Sequence, residues 1–498
     1  MKEATVLKQE NLKGLSSVIK VPTYDRSRVK AGIVHIGIGG FHRAHQAFYC
    51  DQLLHENNSE QWGICGVALL ERDEKIYQTL KAQDGLYTLI VKELDGRWSP
   101  RVIGSMVEYM FAPENPKAVI HKIANPATKI VSLTITEGGY NIDEATGEFN
   151  LKNPLVQHDL ANPENPKTVF GYLTQALKMR KENQVKGLTI QSCDNVQSNG
   201  KVMKKTLFAY VNEAQPDLLA WMEKHVSFPD SMVDRITPVT TKTDIEKLRN
   251  DYGIEDAWPA VCEPFIQWVI EDDFSTGRPH WENVGAQFVN DVAPFEKMKL
   301  SLLNAGHSVL GILGALIGYD TIDQAVQDSD LNTFLRGFMD QEVTPTLSDL
   351  DGVNLTEYKD SLIARFANIN IKDQVARICS ESSSKIPIFI LPTVLKQLQQ
   401  NGTYNRAAFV LAAWAVYSLG KDEKGITLDI IDAMKEEANE KAQAAQKEPK
   451  LFLEMKQVFG SLSNSKPFVD SFTRNYNNIV TDGIKKSVIA INSKTQTK

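Results

Sequence analysis

The chain has 498 residues, 42% of them hydrophobic, and a formal net charge of −7, a length that exceeds one ordinary core and points to two large domains, or three at most. No long basic cluster accompanies this mildly negative balance, so neither nucleic acid nor a membrane surface is an expected partner. The polar first residues lack the apolar core of a secretory signal, and five scattered cysteines without CxxC spacing fit reduced thiols in the cytoplasm.

The first strong element is the apolar run 33–38, which reads as a buried parallel strand followed by a tight glycine turn and a helix over 43–54. Gly37 and Gly39 match the first two glycines of the dinucleotide fingerprint, where a turn without side chains lets a pyrophosphate approach a helix N-terminus. His42 occupies the third glycine position, which weakens the pattern taken alone. Its context supports it. A second apolar strand, 63–70, ends in Glu71-Arg72-Asp73, and an acidic residue at that strand tip is where a ribose diol is held. The acid lies further downstream than the usual spacing of about 20 residues, but the intervening helix is also long. Tyr77 and Lys81 mimic the YxxxK pair of short-chain dehydrogenases, yet they follow directly on the second strand, where that pair does not belong.

Two further β-rich runs, 129–136 and 186–193, alternate with helical patterns and argue for a parallel sheet with helices on its faces. They end in Thr136-Glu137-Gly138-Gly139-Tyr140 and Ser192-Cys193-Asp194-Asn195, segments that a doubly wound sheet presents at its ligand edge. The glycines after Thr136 either admit a flat ring or form an ordinary turn. Asp194 and Asn195 either cap the next helix or, for Asn195, point an amide into the crevice.

From about residue 294 long helical segments replace strands, so the chain reads as α/β: a Rossmann-type doubly wound sheet domain over 1–290 and a mainly α-helical domain over 291–498. The uncharged apolar runs 308–319 and 407–419 fall short of the roughly 18 residues of a membrane span and read as buried helices. Within Lys299-Leu-Ser-Leu-Leu-Asn304-Ala-Gly-His307, an amine, an amide and an imidazole stand at helical spacing. At about 100° per residue, Asn304 lies roughly 140° and His307 roughly 80° around the helix from Lys299, so the three share a face. A lysine on an apolar helix is either a boundary residue reaching water or a base whose pKa desolvation has lowered. No HExxH, paired CxxC or close histidine cluster has the spacing of a zinc site, so no metal is expected; His42 and His45 share a helix turn and read as structural.

Together these residues resemble one family over essentially the whole chain, the polyol-specific long-chain dehydrogenases and reductases. The strings that carry the resemblance are Gly37-Ile-Gly39-Gly40-Phe41-His42-Arg43-Ala-His-Gln46, Thr134-Ile-Thr136-Glu137-Gly138-Gly-Tyr140, Ser192-Cys-Asp-Asn195, Met232-Val-Asp234-Arg-Ile-Thr-Pro238, Cys262-Glu-Pro-Phe-Ile-Gln-Trp268 and the Lys299, Asn304, His307 set. This family lacks the third glycine, so His42 ceases to be an objection. The resemblance implies metal-independent hydride transfer between a polyol and its ketose, with a nicotinamide cofactor, and it implies roles residue by residue. Lys299 is the general base, and Asn195 and Asn304 hold the developing alkoxide, each donor worth about 3 kcal/mol. His307 and Asp234 contact substrate hydroxyls, Arg377 and Lys385 grip the polyol, and Glu296, one turn before Lys299, passes the proton to water. Gly37, Gly39, Gly40, Phe41, His42, Thr136, Glu137 and Gly138 form the cofactor face. Asp73 favours NAD by binding the ribose, whereas Arg72 stands where an acidic or neutral residue is common in the family and leaves NADP as a secondary cofactor. D-mannitol and D-fructose are the implied substrate pair. D-arabinitol or a keto-uronate (fructuronate) are the alternatives within the family, and a catalytically silent nucleotide-binding regulator is the alternative outside it. A cytoplasmic monomer acting on a small molecule is expected.

Overall fold

The computed structural model describes residues 4–56, 58–143, 146–350 and 352–493, and the chain divides into two compact units, Met1–Ala293 and Pro294–Lys498. In the first unit six strands form one sheet in which every neighbouring pair is parallel. In chain order they are β1 (Ala31–Ile36), β2 (Gly63–Ala68), β3 (Met106–Phe111), β4 (Ile130–Leu133), β5 (Leu188–Ser192) and β6 (Val226–Ser227). Their spatial order is 3-2-1-4-5-6. This is the doubly wound Rossmann order, in which the winding reverses between β1 and β4.

Every residue of β1 and β2 is buried, as strands covered on both faces require. Val34, Ile36, Cys65 and Val67 feed one apolar core, while Ile33, Ile64 and Ala68 feed another, so the strand alternation places a core on each face. β1 stops at Ile36, short of the expected run to 38, because the chain turns at Gly37 with φ +104°. A Cβ there would lie 2.1 Å from the Thr134 carbonyl oxygen, so the position tolerates only glycine. The helix expected over 43–54 starts earlier and is broken: α1 (Gly40–Ala44) is N-capped by Gly39, and α2 (Gln46–Leu53) follows after His45. At the break the His45 N–H bonds back only three residues to the His42 carbonyl, and its ring Nε2 donates to the Gln267 carbonyl at 2.9 Å.

The second unit is built of helices. α3 (Ala293–Lys299) and α4 (Ala305–Ile317) are joined through a π turn, Leu300–Asn304, into one continuous run. Three later helices, α5 (Val375–Cys379), α6 (Ser382–Phe389) and α7 (Asn405–Tyr417), pack against α4. Glycines let them come close: a Cβ on Gly311 would meet Ile378 Cγ2 at 2.8 Å. By length and composition Ala293–Ile317 could cross a bilayer, which the shorter uncharged stretch 308–319 did not suggest, but 78% of its apolar stretch is buried inside the protein. That burial is the signature of a core helix.

Candidate active site

The carboxyl ends of β1 and β4 open onto a cavity of about 620 Å³ at the point where the winding reverses, the place where open α/β sheets bind their ligands. Gly37, Gly39 and Gly40 line it from the first turn, Arg72 and Asp73 from the turn after β2, and Thr136 and Gly138 from the turn after β4. A Cβ built on Gly39 or Gly138 would meet nothing within 4 Å, so both positions border open space. Asp73 is oriented by its own turn, its Oδ2 accepting the Leu70 N–H at 3.1 Å.

Phe41, His42 and Glu137 do not line this cavity. Phe41 stacks on His45 with ring centroids 5.0 Å apart, and Glu137 is exposed. His42 is buried and stacks face to face on His35, centroids 3.3 Å apart. His35 in turn donates from Nε2 to the Gly37 carbonyl at 2.9 Å, so the pair supports the glycine turn from beneath. Burial holds the His35 imidazole down to about 3 and keeps that of His42 well below its ordinary value, so both rings are neutral.

Two lining cations escaped the sequence reading, Arg43 directly behind the glycine turn and Lys167. Arg43 is 3% exposed, and its Nη1 donates to the Trp258 carbonyl at 2.6 Å. With Arg72 they set three cations against the single carboxylate of Asp73 in the cavity wall, a balance that suits an anionic pyrophosphate. Asp194, considered above as a helix cap, instead ties two strand ends together. Its carboxylate accepts the Ile135 N–H at 3.0 Å, the Thr136 N–H at 2.9 Å and the Tyr140 hydroxyl at 2.8 Å. This holds Thr136 at φ +62°. Burial raises the Asp194 carboxyl even though three donors oppose the shift. Asn195 beside it is exposed at the carboxyl edge of the sheet, and Asp234, ending the strand Ser231–Asp234, is 4% exposed.

On the helical unit, Glu296, Lys299, Asn304 and His307 lie along the α3–π–α4 run, with Lys299 only 6% exposed. The π turn changes the angular count made from the sequence. Its bonds run i→i+5 rather than i→i+4, so Asn304, five residues on, returns to roughly the same side as Lys299 instead of about 140° away. Asn304 Oδ1 is buried and has no hydrogen-bond partner among the described residues, which leaves it able to accept from a ligand or a water. His307 leans on the Phe366 ring at 4.4 Å, and its Nε2 lies 3.9 Å from Asp373 Oδ2. Arg377 grips the same carboxylate, from Nε to Oδ1 at 2.8 Å and from Nη2 to Oδ2 at 2.6 Å. Lys385 donates to the Ile378 carbonyl at 3.0 Å from α6, which packs on the π turn, and burial lowers the pKa of its amine. Asp373 was not singled out from the sequence.

A family model for the mannitol dehydrogenase Rossmann domain matches residues 31–283, and one for the mannitol dehydrogenase C-terminal domain matches residues 291–480. The chain belongs to the mannitol dehydrogenase family. The mannitol 2-dehydrogenase of Aspergillus fumigatus is 44% identical over 479 residues, 95% of each chain, and that of Pyricularia oryzae is 42% identical over 472 residues, 94% of each. Among solved structures, Pseudomonas fluorescens mannitol 2-dehydrogenase in a ternary complex with NAD and D-mannitol is similar at a TM-score of 0.86 and 42% identity, covering 98% of this chain and 100% of that one. A substrate-free D-sorbitol dehydrogenase is similar at a TM-score of 0.91 and 38% identity, covering 97% and 100%.

Membership makes this mannitol dehydrogenase family protein a polyol dehydrogenase whose Rossmann domain serves a nicotinamide cofactor. The cavity fits that group: two glycines without a Cβ neighbour border it, a third turns at positive φ, and its charged wall is net positive. Gly37, Gly39, Gly40 and Thr136 would hold the dinucleotide backbone, and Asp73 the ribose. Among the described residues, no three His, Cys, Asp or Glu side chains gather as a metal site.

Proposed function

We propose that this chain interconverts D-mannitol and D-fructose with NAD as its preferred cofactor, using Lys299 as general acid and base. The observation that carries the reading is the π turn that returns Asn304 to the side of the nearly buried Lys299. Such turns inside α-helices are frequent at functional sites. In oxidation, Lys299 as a neutral amine takes the carbinol proton from a position that is only 6% exposed. A nicotinamide cofactor held by Gly37, Gly39, Gly40 and Thr136 would supply the acceptor for the hydride that leaves the carbinol carbon. The Asn304 side-chain amide, which rotates to present either its oxygen or its N–H groups, holds the alkoxide as negative charge develops. Asn195, on the Rossmann unit, carries the same assignment. Glu296, three residues before Lys299 and 8% exposed, relays the proton outward. His307, Arg377, Lys385 and Asp234 hold substrate hydroxyls.

Asp73 supports NAD, and the exposed guanidinium of Arg72 beside it supports secondary use of NADP. Five cysteines, all free and buried, suit a cytoplasmic enzyme; we assign it as a monomer. The similarity to a D-sorbitol dehydrogenase favours a second reading, oxidation of the C2 epimer to the same ketose.

Initial rates of NADH oxidation with D-fructose test the proposal, with NADPH in parallel and Lys299→Ala as control. Fructose-dependent turnover is expected and should fall about 10²- to 10⁴-fold in the variant, while NADH titrates both proteins alike. Turnover unchanged in Lys299→Ala would refute the base assignment, and absence of turnover in the wild type would refute the substrate. Analysis of the reduction product as mannitol or sorbitol decides between the epimers.

A further inference from the structure

Asp373 is the feature of the helical unit that the proposed chemistry leaves unused. Its side chain is 8% exposed, and its backbone is pinned on both sides. The Asp373 carbonyl accepts the Ile322 N–H at 2.9 Å, the Val375 N–H bonds the Asp320 carbonyl at 2.9 Å, and Thr321 pairs with Gln374 as an antiparallel bridge. The carboxylate is therefore fixed in place. It occupies the Arg377 fork in a two-point contact and faces His307 Nε2, and a guanidinium held in this way has already spent the geometry by which it would recognise another carboxylate.

We propose that Asp373 sets the charge specificity of the substrate site, making it a receptor for neutral polyols and ketoses and excluding substrates that end in a carboxylate. The inference rests on the reading that Arg377, His307 and Lys385 meet the substrate. Arg377 is balanced by Asp373, and Lys385 faces the carboxylates of Glu381 and Asp432, so a neutral sugar adds no uncompensated charge. A uronate would bring its carboxylate up to an Arg377 that is already paired and set it beside the fixed negative charge of Asp373. Like charges placed together in a binding site are strongly disfavoured.

The test compares kcat/KM for reduction of D-fructose and of D-fructuronate by NADH. The wild type should favour fructose by about a hundredfold or more, and Asp373→Asn, which frees the Arg377 fork, should shrink that preference about tenfold or more. Asp373→Glu, which keeps the charge, should retain the wild-type ratio. In an Arg377→Gln background, where Asp373 stands uncovered, Asp373→Asn should still narrow the ratio about tenfold, because it removes the charge that repels the uronate. An Asp373→Asn variant that loses both activities in equal proportion would show a merely structural role and overturn the proposal. Should Asp373→Asn fail to fold, Arg377→Gln alone decides. Leaving Asp373 uncovered, it should widen the fructose preference about tenfold, and an unchanged ratio would overturn the inference. A wild type that reduces fructose while the ratio stays fixed in every variant refutes this proposal only, whereas a wild type that reduces neither sugar refutes the polyol reading beneath it.

Discussion

Acidification from pH 7.5 to 5.5 should loosen the Rossmann unit at the stacked pair of His35 and His42. Both rings are buried as neutral imidazoles, that of His35 at about 3 against an unfolded value of about 6.5. Above pH 6.5 neither the folded nor the unfolded chain binds the extra proton, and the contribution to stability is fully present. As pH falls through 6.5 the unfolded chain takes protons that the folded one refuses, and stability is lost progressively toward the folded value. At pH 5.5 an unfolded imidazole is about nine-tenths protonated, which costs about 1.4 kcal/mol per ring, or about 2.8 kcal/mol for the pair. Other groups act oppositely. Burial raises Glu342 of the helical unit to about 7, which adds stability over the same interval, and it also raises Asp51, Asp194 and Asp256 of the Rossmann unit. The decisive quantity is therefore the difference between wild type and His42→Phe, a flat ring that stacks but does not titrate. Hydrogen exchange of peptides covering Ala31–Ile36 and Gly40–Ala44, corrected for intrinsic rates, reads it locally. Between pH 7.5 and 5.5, wild-type protection should fall about tenfold more than that of the variant. Equal pH dependence in the two proteins would refute the neutral buried pair.

Gly37→Ala should lower stability by more than about 2 kcal/mol and abolish NADH binding, because its Cβ would sit 2.1 Å from the Thr134 carbonyl oxygen at a φ of +104°; a thermal melt and an NADH titration check both effects. Asn304→Ala should reduce kcat about 10²- to 10³-fold with NADH affinity unchanged, and a kcat within twofold of wild type would remove the amide from the mechanism. Arg72→Glu should lower the NADPH-to-NADH ratio of kcat/KM about tenfold or more, since the guanidinium is the group beside Asp73 able to receive a 2′-phosphate; a constant ratio would assign that tolerance elsewhere.

What the sequence disclosed of the Rossmann unit is what depends on local pattern. The apolar run into Gly37 shows both the strand and the turn, because a glycine is needed wherever a carbonyl oxygen lies 2.1 Å from the place of its Cβ. Asp73 is legible for a similar reason, standing at the tip of the next strand. His42 is not, since whether it faces the cavity or the core depends on His35, its stacking partner on β1. Asp194 also resisted reading, because its donors, Ile135, Thr136 and Tyr140, lie more than fifty residues away in the chain. Asp373 acts through Arg377 four residues on, a local pair, but also through His307 on a different helix. The pair by itself looks like any surface i,i+4 contact, and the histidine gives it another meaning.

The π turn marks the limit of periodicity as a guide. Leu300, Ser301, Leu302 and Leu303 suit an α-helix as well as a π turn, and the apolar spacing on either side is ordinary, so nothing local signals the change. Its geometric effect is nevertheless large. A π turn accommodates one more residue than an α turn while leaving the flanking helices nearly aligned. The segment from Lys299 to Asn304 thus covers five residues in little more than the rotation an α-helix uses for four, and the amide comes round toward the amine. His307, three α-helical residues further, then lies within about 60° of Asn304. A strict α-helix through the same residues would spread amine and amide over about 140°. It is the inserted residue, held by the helices packed around α4, that turns three polar groups spaced along an apolar helix into a convergent set.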